Sequence, residues 1–229
     1  MIFGKDRNIS ATRCLIVICT AVYLLDKYII SSDSESLVIS IGNVVLDSTT
    51  IWGKILGFCG GSVFTALAYN TDLFLSGELW RPITSILVHL FIIHFVVNML
   101  ALWIVGPKVE KLIGSKHFIF LFFVLGIADL FLTNLLFLDE RATLLSGGAS
   151  GAIFSIMGYS FLHQISHRYN KRIIYKKAEI AYLAFYGVFF SYIFADSWTA
   201  CAHTIAFLLG VTTYLSIPLL QRAKSFCTH

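Results

Sequence analysis

Four polar side chains sit inside apolar runs where lipid-facing residues are expected. Ser150 opens "SGAIFSIMG" directly behind "LLSGGA", His203 lies in "TACAHTIAFLLG", and His94 and Asn98 stand four apart in "HLFIIHFVVNM". A serine hydroxyl is a weak nucleophile until a neighbouring base takes its proton, which requires a hydrogen bond of about 2.6 to 3.2 Å. An imidazole is the usual base. The spacing of four puts His94 and Asn98 on one helical face. Both can donate to an oxygen that gains negative charge, and one such oxyanion donor is typically worth about 10² to 10³ in rate. Acyl transfer at a serine is the chemistry these four residues support together. The same residues admit a plainer reading. Gly147, Gly148 and Gly151 would permit a tight turn with Ser150 as a helix N-cap, and His94 and Asn98 would hold a bundle together through an interhelical hydrogen bond worth about 0.6 to 2 kcal/mol.

Other intramembrane chemistries lack their residues. A zinc protease needs HExxH, and His163 and His167, although four apart, have no such glutamate and adjoin a basic segment. An aspartyl mechanism needs two facing carboxylates, and only Asp129 lies well within an apolar run. The stretch around Ser150 reads G-A-S-G-A, so the G-x-S-x-G elbow of soluble hydrolases is absent. Nothing in this chemistry calls for a cofactor or a metal.

The elements that must position these groups are transmembrane helices. Of 229 residues 57% are hydrophobic and 13% charged, against roughly 45 to 50% and 25% in soluble domains. With 20 Phe and 3 Pro the chain is neither a disordered tail nor a turn-rich β protein, and one membrane domain over residues 1–229 is the simplest organisation. The net charge of +4 comes from short basic clusters between apolar runs, which topology explains better than nucleic acid. Cys14, Cys19, Cys59, Cys201 and Cys227 form no CxxC pair and read as small packing residues. The segment "CLIVICTAVYLL" behind Lys5, Arg7 and Arg13 has no small-residue cleavage site after it, and reads as a retained helix.

A span needs about 20 mainly apolar residues. This template gives six, at about 12–30, 86–106, 117–138, 150–167, 178–196 and 202–220, with a long first loop at about 31–85. Basic residues around Lys5–Arg13, Lys108–Lys116, Arg168–Lys177 and Arg222–Lys224 then fall on one side, whereas Lys27, Lys54, Arg81 and Arg141 remain on the other. Basic loops stay cytoplasmic, so both termini are expected there, with loop 31–85 outside. Ser150, His203 and His94 consequently share one depth near the outer face. Ala202, Ala206 and Gly210 form a small-residue stripe, as do Gly151 and Gly158, and the two stripes are expected to pack and bring Ser150 towards His203.

Taken together, "GELWR", "HLFIIHFVVNM", "VEKLIGS", "GASGAIF" and "AHTIAFLLG", in this order from about Gly77 to Gly210, resemble the rhomboid family of intramembrane serine proteases. The resemblance implies an all-α, six-transmembrane-helix bundle in which Ser150 is the nucleophile and His203 the general base. His94, Asn98 and the Ser150 backbone N–H would surround the oxyanion, and Trp80 and Arg81 would be structural in the first loop. Phe154 stands where many members have a tyrosine packed on the catalytic histidine, and Ala206 where a glycine is common. The substrates implied are single-span transmembrane proteins cut near the outer face, preferentially at small residues in segments that unwind easily. The setting is the lipid bilayer of the cell, plasma or inner, membrane, with no nucleic-acid partner. A noncatalytic relative that binds client helices is the alternative. A solute channel is disfavoured because the polar groups share one depth and line no path.

Overall fold

The computed structural model describes residues 10–29, 39–41, 44–46, 62–136, 145–166, 175–188 and 197–226. Their order is α1 (Ala11–Leu24), continued by a π turn over Leu25–Ile29; strands β1 (Ile39–Ile41) and β2 (Val44–Leu46); α2 (Ser62–Leu67), α3 (Thr71–Leu75) and α4 (Arg81–Thr84), with a 3₁₀ turn over Ser85–Leu87; then α5 (Ile92–Ile113), α6 (Ser115–Leu136), α7 (Ser150–Ser166), α8 (Lys177–Val188) and α9 (Ser197–Phe226).

Among the described residues, three helical segments, Ile92–Ile113, Ser115–Leu136 and Trp198–Ser216, are long and apolar enough to cross a membrane. The spans expected at 12–30, 150–167 and 178–196 correspond to α1, α7 and α8, of 14, 17 and 12 residues among those described. The second span starts later than hydropathy suggests. Pro82 sits in the first turn of α4, and the chain then extends at Val88 and Phe91 (φ −98° and −144°) before α5 begins at Ile92. An apolar run cannot reveal that backbone break. At its other end α5 continues past Pro107 to Ile113 and stops at Gly114, whose φ of +82° suits glycine.

The described parts of the first loop contain regular elements. They contribute α2 to α4 and an antiparallel ribbon in which Ile39 pairs with Leu46 and Ile41 with Val44, a small departure from an all-α chain. Residues 51–61, "IWGKILGFCGG", lie outside the described residues.

The bundle exposes apolar side chains on its outside and sets polar groups within an otherwise apolar core, as expected in lipid. Val96, Leu100, Trp103, Phe120, Leu135 and Leu208 are exposed, whereas Thr12, Asn98, Asp129, Thr133, Ser155, Ser160 and His203 are buried. Helix α7 is the central element. It packs against α9, α6 and α5, and every residue from Ala152 to Ser160 is buried. Its crossing with α9 brings backbones into direct contact. A Cβ on Gly158 would overlap the Phe207 carbonyl oxygen, and one on Gly210 the Ser155 carbonyl oxygen. Close approach of this kind is what small residues supply where lipid gives no hydrophobic drive.

Glu110 gathers one end of the bundle. Its carboxylate accepts from Ser10 Oγ (2.7 Å), the backbone N–H groups of Ala11 (2.7 Å) and Thr12 (3.0 Å), Thr12 Oγ1 (2.7 Å) and Ser115 Oγ (2.7 Å). One acid thereby caps α1 and ties it to the α5–α6 turn. Lys108 pairs with Glu179 at 2.8 Å and adds the start of α8 to the same end. The start of α1, the α5–α6 turn and the start of α8 thus share one end.

Candidate active site

The opposite end carries the four polar residues. Ser150 is the first residue of α7 and is half-buried. The Ile153 N–H donates to the Ala149 carbonyl at 2.9 Å, so Ala149 holds the capping position and Ser150 stands inside the helix. The plainer role for Ser150, an N-cap, is therefore not its position. The first N–H groups of the helix, starting with that of Ser150, have no intrahelical acceptor.

The approach to Ser150 is shaped by its neighbours. Gly148 has φ +146°, and a Cβ there would lie 2.6 Å from His94 Cε1 and 2.9 Å from Nε2. Only glycine fits both the dihedral and the space. The imidazole of His94, in the first turn of α5, therefore rests on the backbone two residues before Ser150. The Gly148 N–H donates to the Ser85 carbonyl at 2.8 Å, and Tyr69 and Ser146 exchange backbone hydrogen bonds of 2.7 and 2.8 Å in an isolated antiparallel bridge. The segment before α7 is thus clamped by the first loop.

The loop is itself held by the Trp80–Arg81 pair. Arg81 Nη1 donates to the Thr65 carbonyl at 2.9 Å and to that of Ala68, while its Nε donates to Glu78 at 2.7 Å. Trp80 Nε1 reaches the Ala66 carbonyl at 3.3 Å and Thr84 Oγ1 the Leu67 carbonyl at 2.8 Å. Four successive carbonyls at the end of α2, which a helix leaves unsatisfied, find their donors here. The structural role expected of Trp80 and Arg81 has this physical form.

His203 lies in the second turn of α9 and is 6% exposed. Its ring stacks on Phe154 with centroids 4.1 Å apart and planes 15° apart. The contacts Phe154–His203 and Gly158–Phe207 advance by one turn along each helix, so α7 and α9 run parallel. Ala206 is fully buried, and its methyl is accommodated beside the glycine crossing. Asn98, fully buried one turn beyond His94, donates from Nδ2 to the His94 carbonyl at 2.7 Å and accepts at Oδ1 from Tyr186 OH at 2.8 Å.

Three contributors were not assigned to the site from sequence. His89 is buried, its ring centroid 5.2 Å from that of His94, and its Nε2 lies 3.4 Å from the Ala149 N–H. Asp129, weighed only as a lone acid, fills the space beside Gly151, where a Cβ would strike its Oδ2. The small-residue stripe of α7 therefore divides, with Gly158 facing α9 and Gly151 facing α6. Positions seven apart in a helix are offset by about 20°, and here they meet different neighbours. Tyr186 is the third, and no sequence signal marked it.

A family profile described as the rhomboid domain matches residues 76–218. The chain belongs to the rhomboid family. It is 35% identical over 119 residues to the rhomboid protease GluP of Bacillus subtilis (strain 168), covering 50% of this chain and 22% of that protein. The putative rhomboid protease YdcA of the same organism is 32% identical over 99 residues, 43% of this chain and 48% of YdcA. The rhomboid protease GlpG of Salmonella choleraesuis (strain SC-B67) is 31% identical over 102 residues, 44% of this chain and 35% of GlpG. The chain thus matches less than half the length of each of these relatives. Its family and its apolar helices make it an integral membrane protein.

Proposed function

We propose that this protein is an intramembrane serine endopeptidase that cleaves transmembrane helices near the outer membrane face with Ser150 as nucleophile and His203 as general base. The observation that carries this reading is the stack of Phe154 on His203. Phe154 lies one turn beyond Ser150 on the same face of α7. Helical side chains tilt towards the N-terminus, so an imidazole seated on Phe154 from a parallel helix is directed back towards Ser150.

In this mechanism Ser150 Oγ attacks the substrate carbonyl as His203 takes its proton, and His203 returns that proton to the leaving amine. Water, activated by the same imidazole, then releases the acyl group. His94 beside Gly148, the Asn98 amide and the Ser150 N–H are the donors for the oxyanion. No third acid is required, since Phe154 supplies the orientation that a carboxylate gives elsewhere. The half-buried position of Ser150 supports entry of water from the outer side, and the cell membrane, plasma or inner, is the proposed site.

The test is cleavage of a single-span substrate in liposomes, with fluorophosphonate labelling of the enzyme. The parent is expected to cut and to label, and Ser150→Ala to do neither. Equal labelling of both would remove Ser150 from the role. Binding of client helices with no cleavage by either protein would establish the noncatalytic alternative.

A further inference from the structure

Asn98 makes two hydrogen bonds whose combination fixes its amide. The His94 backbone carbonyl can only accept, so the Asn98 atom 2.7 Å from it is the NH₂ group. The other end, Oδ1, then faces Tyr186 OH at 2.8 Å, and the phenol must donate. One Nδ2 hydrogen goes to His94 O, and the second is left for an incoming oxygen. Without a donor on Oδ1 the amide is held at one end only, by the His94 carbonyl, and its plane is free to turn about that contact.

Tyr186 also touches the other half of the site. Its ring is 1% exposed and stacks on Phe154, centroids 5.0 Å apart and planes 19° apart, on the same ring that stacks against His203. His203, Phe154 and Tyr186 form a column running from α9 through α7 to α8, and the hydroxyl at its end lies on α5's Asn98. Phe154 has no hydroxyl to offer.

We infer that Tyr186 is a positioning residue of the active site: its hydroxyl orients the Asn98 amide towards the oxyanion while its ring backs the Phe154 platform under His203. This inference rests on the proteolytic reading above, and it adds α8 to the elements that build the site. Two separate functions, the oxyanion donor and the base, are set by one side chain from a helix that carries neither.

The test uses the full-length protein in liposomes with a single-span substrate. Tyr186→Phe keeps the ring and removes only the hydroxyl. Its kcat is expected to fall roughly tenfold at unchanged KM, a fraction of the loss for a whole oxyanion donor, with fluorophosphonate labelling slowed in parallel. In an Asn98→Ala background the same substitution is expected to change kcat less than twofold, because the group it acts through is gone. Parental kcat in Tyr186→Phe, or the same tenfold loss with Asn98 absent, would overturn the inference. Thermal denaturation of each variant identifies a loss caused by unfolding, and a loss of kcat that merely tracks unfolding would count against positioning. A parent that does not cleave would overturn the proteolytic reading and this inference with it. A cleaving parent matched by Tyr186→Phe would overturn this inference alone.

Discussion

The phenyl ring of Phe154 and the imidazole of His203 lie nearly parallel, 4.1 Å between centroids. A stacked aromatic pair is worth about 0.5 to 1.5 kcal/mol beyond the area it buries, enough to select one ring orientation. Phe154→Leu keeps most of the volume and removes the flat face. The expected result is a kcat loss on the order of tenfold or more with KM little changed, because small misplacements of a reacting group are costly. Steady-state cleavage measures this, and an unchanged kcat would remove the orienting role.

Where α7 crosses α9, Gly210 and Gly158 leave no room for a methyl group. Gly210→Ala and Gly158→Ala are each expected to destabilise by about 1 to 3 kcal/mol, the usual cost of overpacking. Gly187→Ala is the control, since its Cβ would meet Phe154 Cε1 at an ordinary 3.8 Å. Thermal denaturation in detergent should separate the two crossing variants from the control.

Gly151 and Asp129 are complementary in shape, with the carboxylate filling the missing side chain. Gly151→Ala is expected to displace Ser150, the adjacent residue, and to abolish fluorophosphonate labelling. In an Asp129→Ala background the added methyl has space, so labelling should return in part. Two losses that simply multiply would show that the residues act independently.

Arg81 is 4% exposed and holds carbonyls of α2. Arg81→Ala orphans them, each at about 1 to 3 kcal/mol. Denaturation should show a loss of about 2 kcal/mol or more. Hydrogen exchange should locate it in residues 62–87 and spare the α7–α9 crossing.

The candidate site residues were legible because hydrogen-bonding side chains inside apolar runs are costly and draw notice. Ser150, His203, His94 and Asn98 could be found by that test, and family motifs gave them roles. The helices were legible for the same reason, with α6 starting and ending within two residues of expectation. What stayed hidden depends on contacts between distant elements. A tyrosine near the end of an apolar helix is unremarkable until Asn98 is seen beside it. Asp129 looks like a stray acid until Gly151 gives it a place. The late start of α5 was masked because "ITSILVHLF" is as apolar as a span, while its irregular backbone leaves no trace in hydropathy.

The bridge between Tyr69 and Ser146 also bears on assembly. Its two residues are separated in the chain by the whole of α5 and α6, and closing so long a loop costs entropy that only the packing of those helices offsets. The backbone leading into Ser150 therefore depends for its shape on a partner that those packed helices bring alongside. On the proposed reading, the setting that would activate Ser150 exists only when those helices are packed, and an unassembled chain would carry a serine of ordinary reactivity.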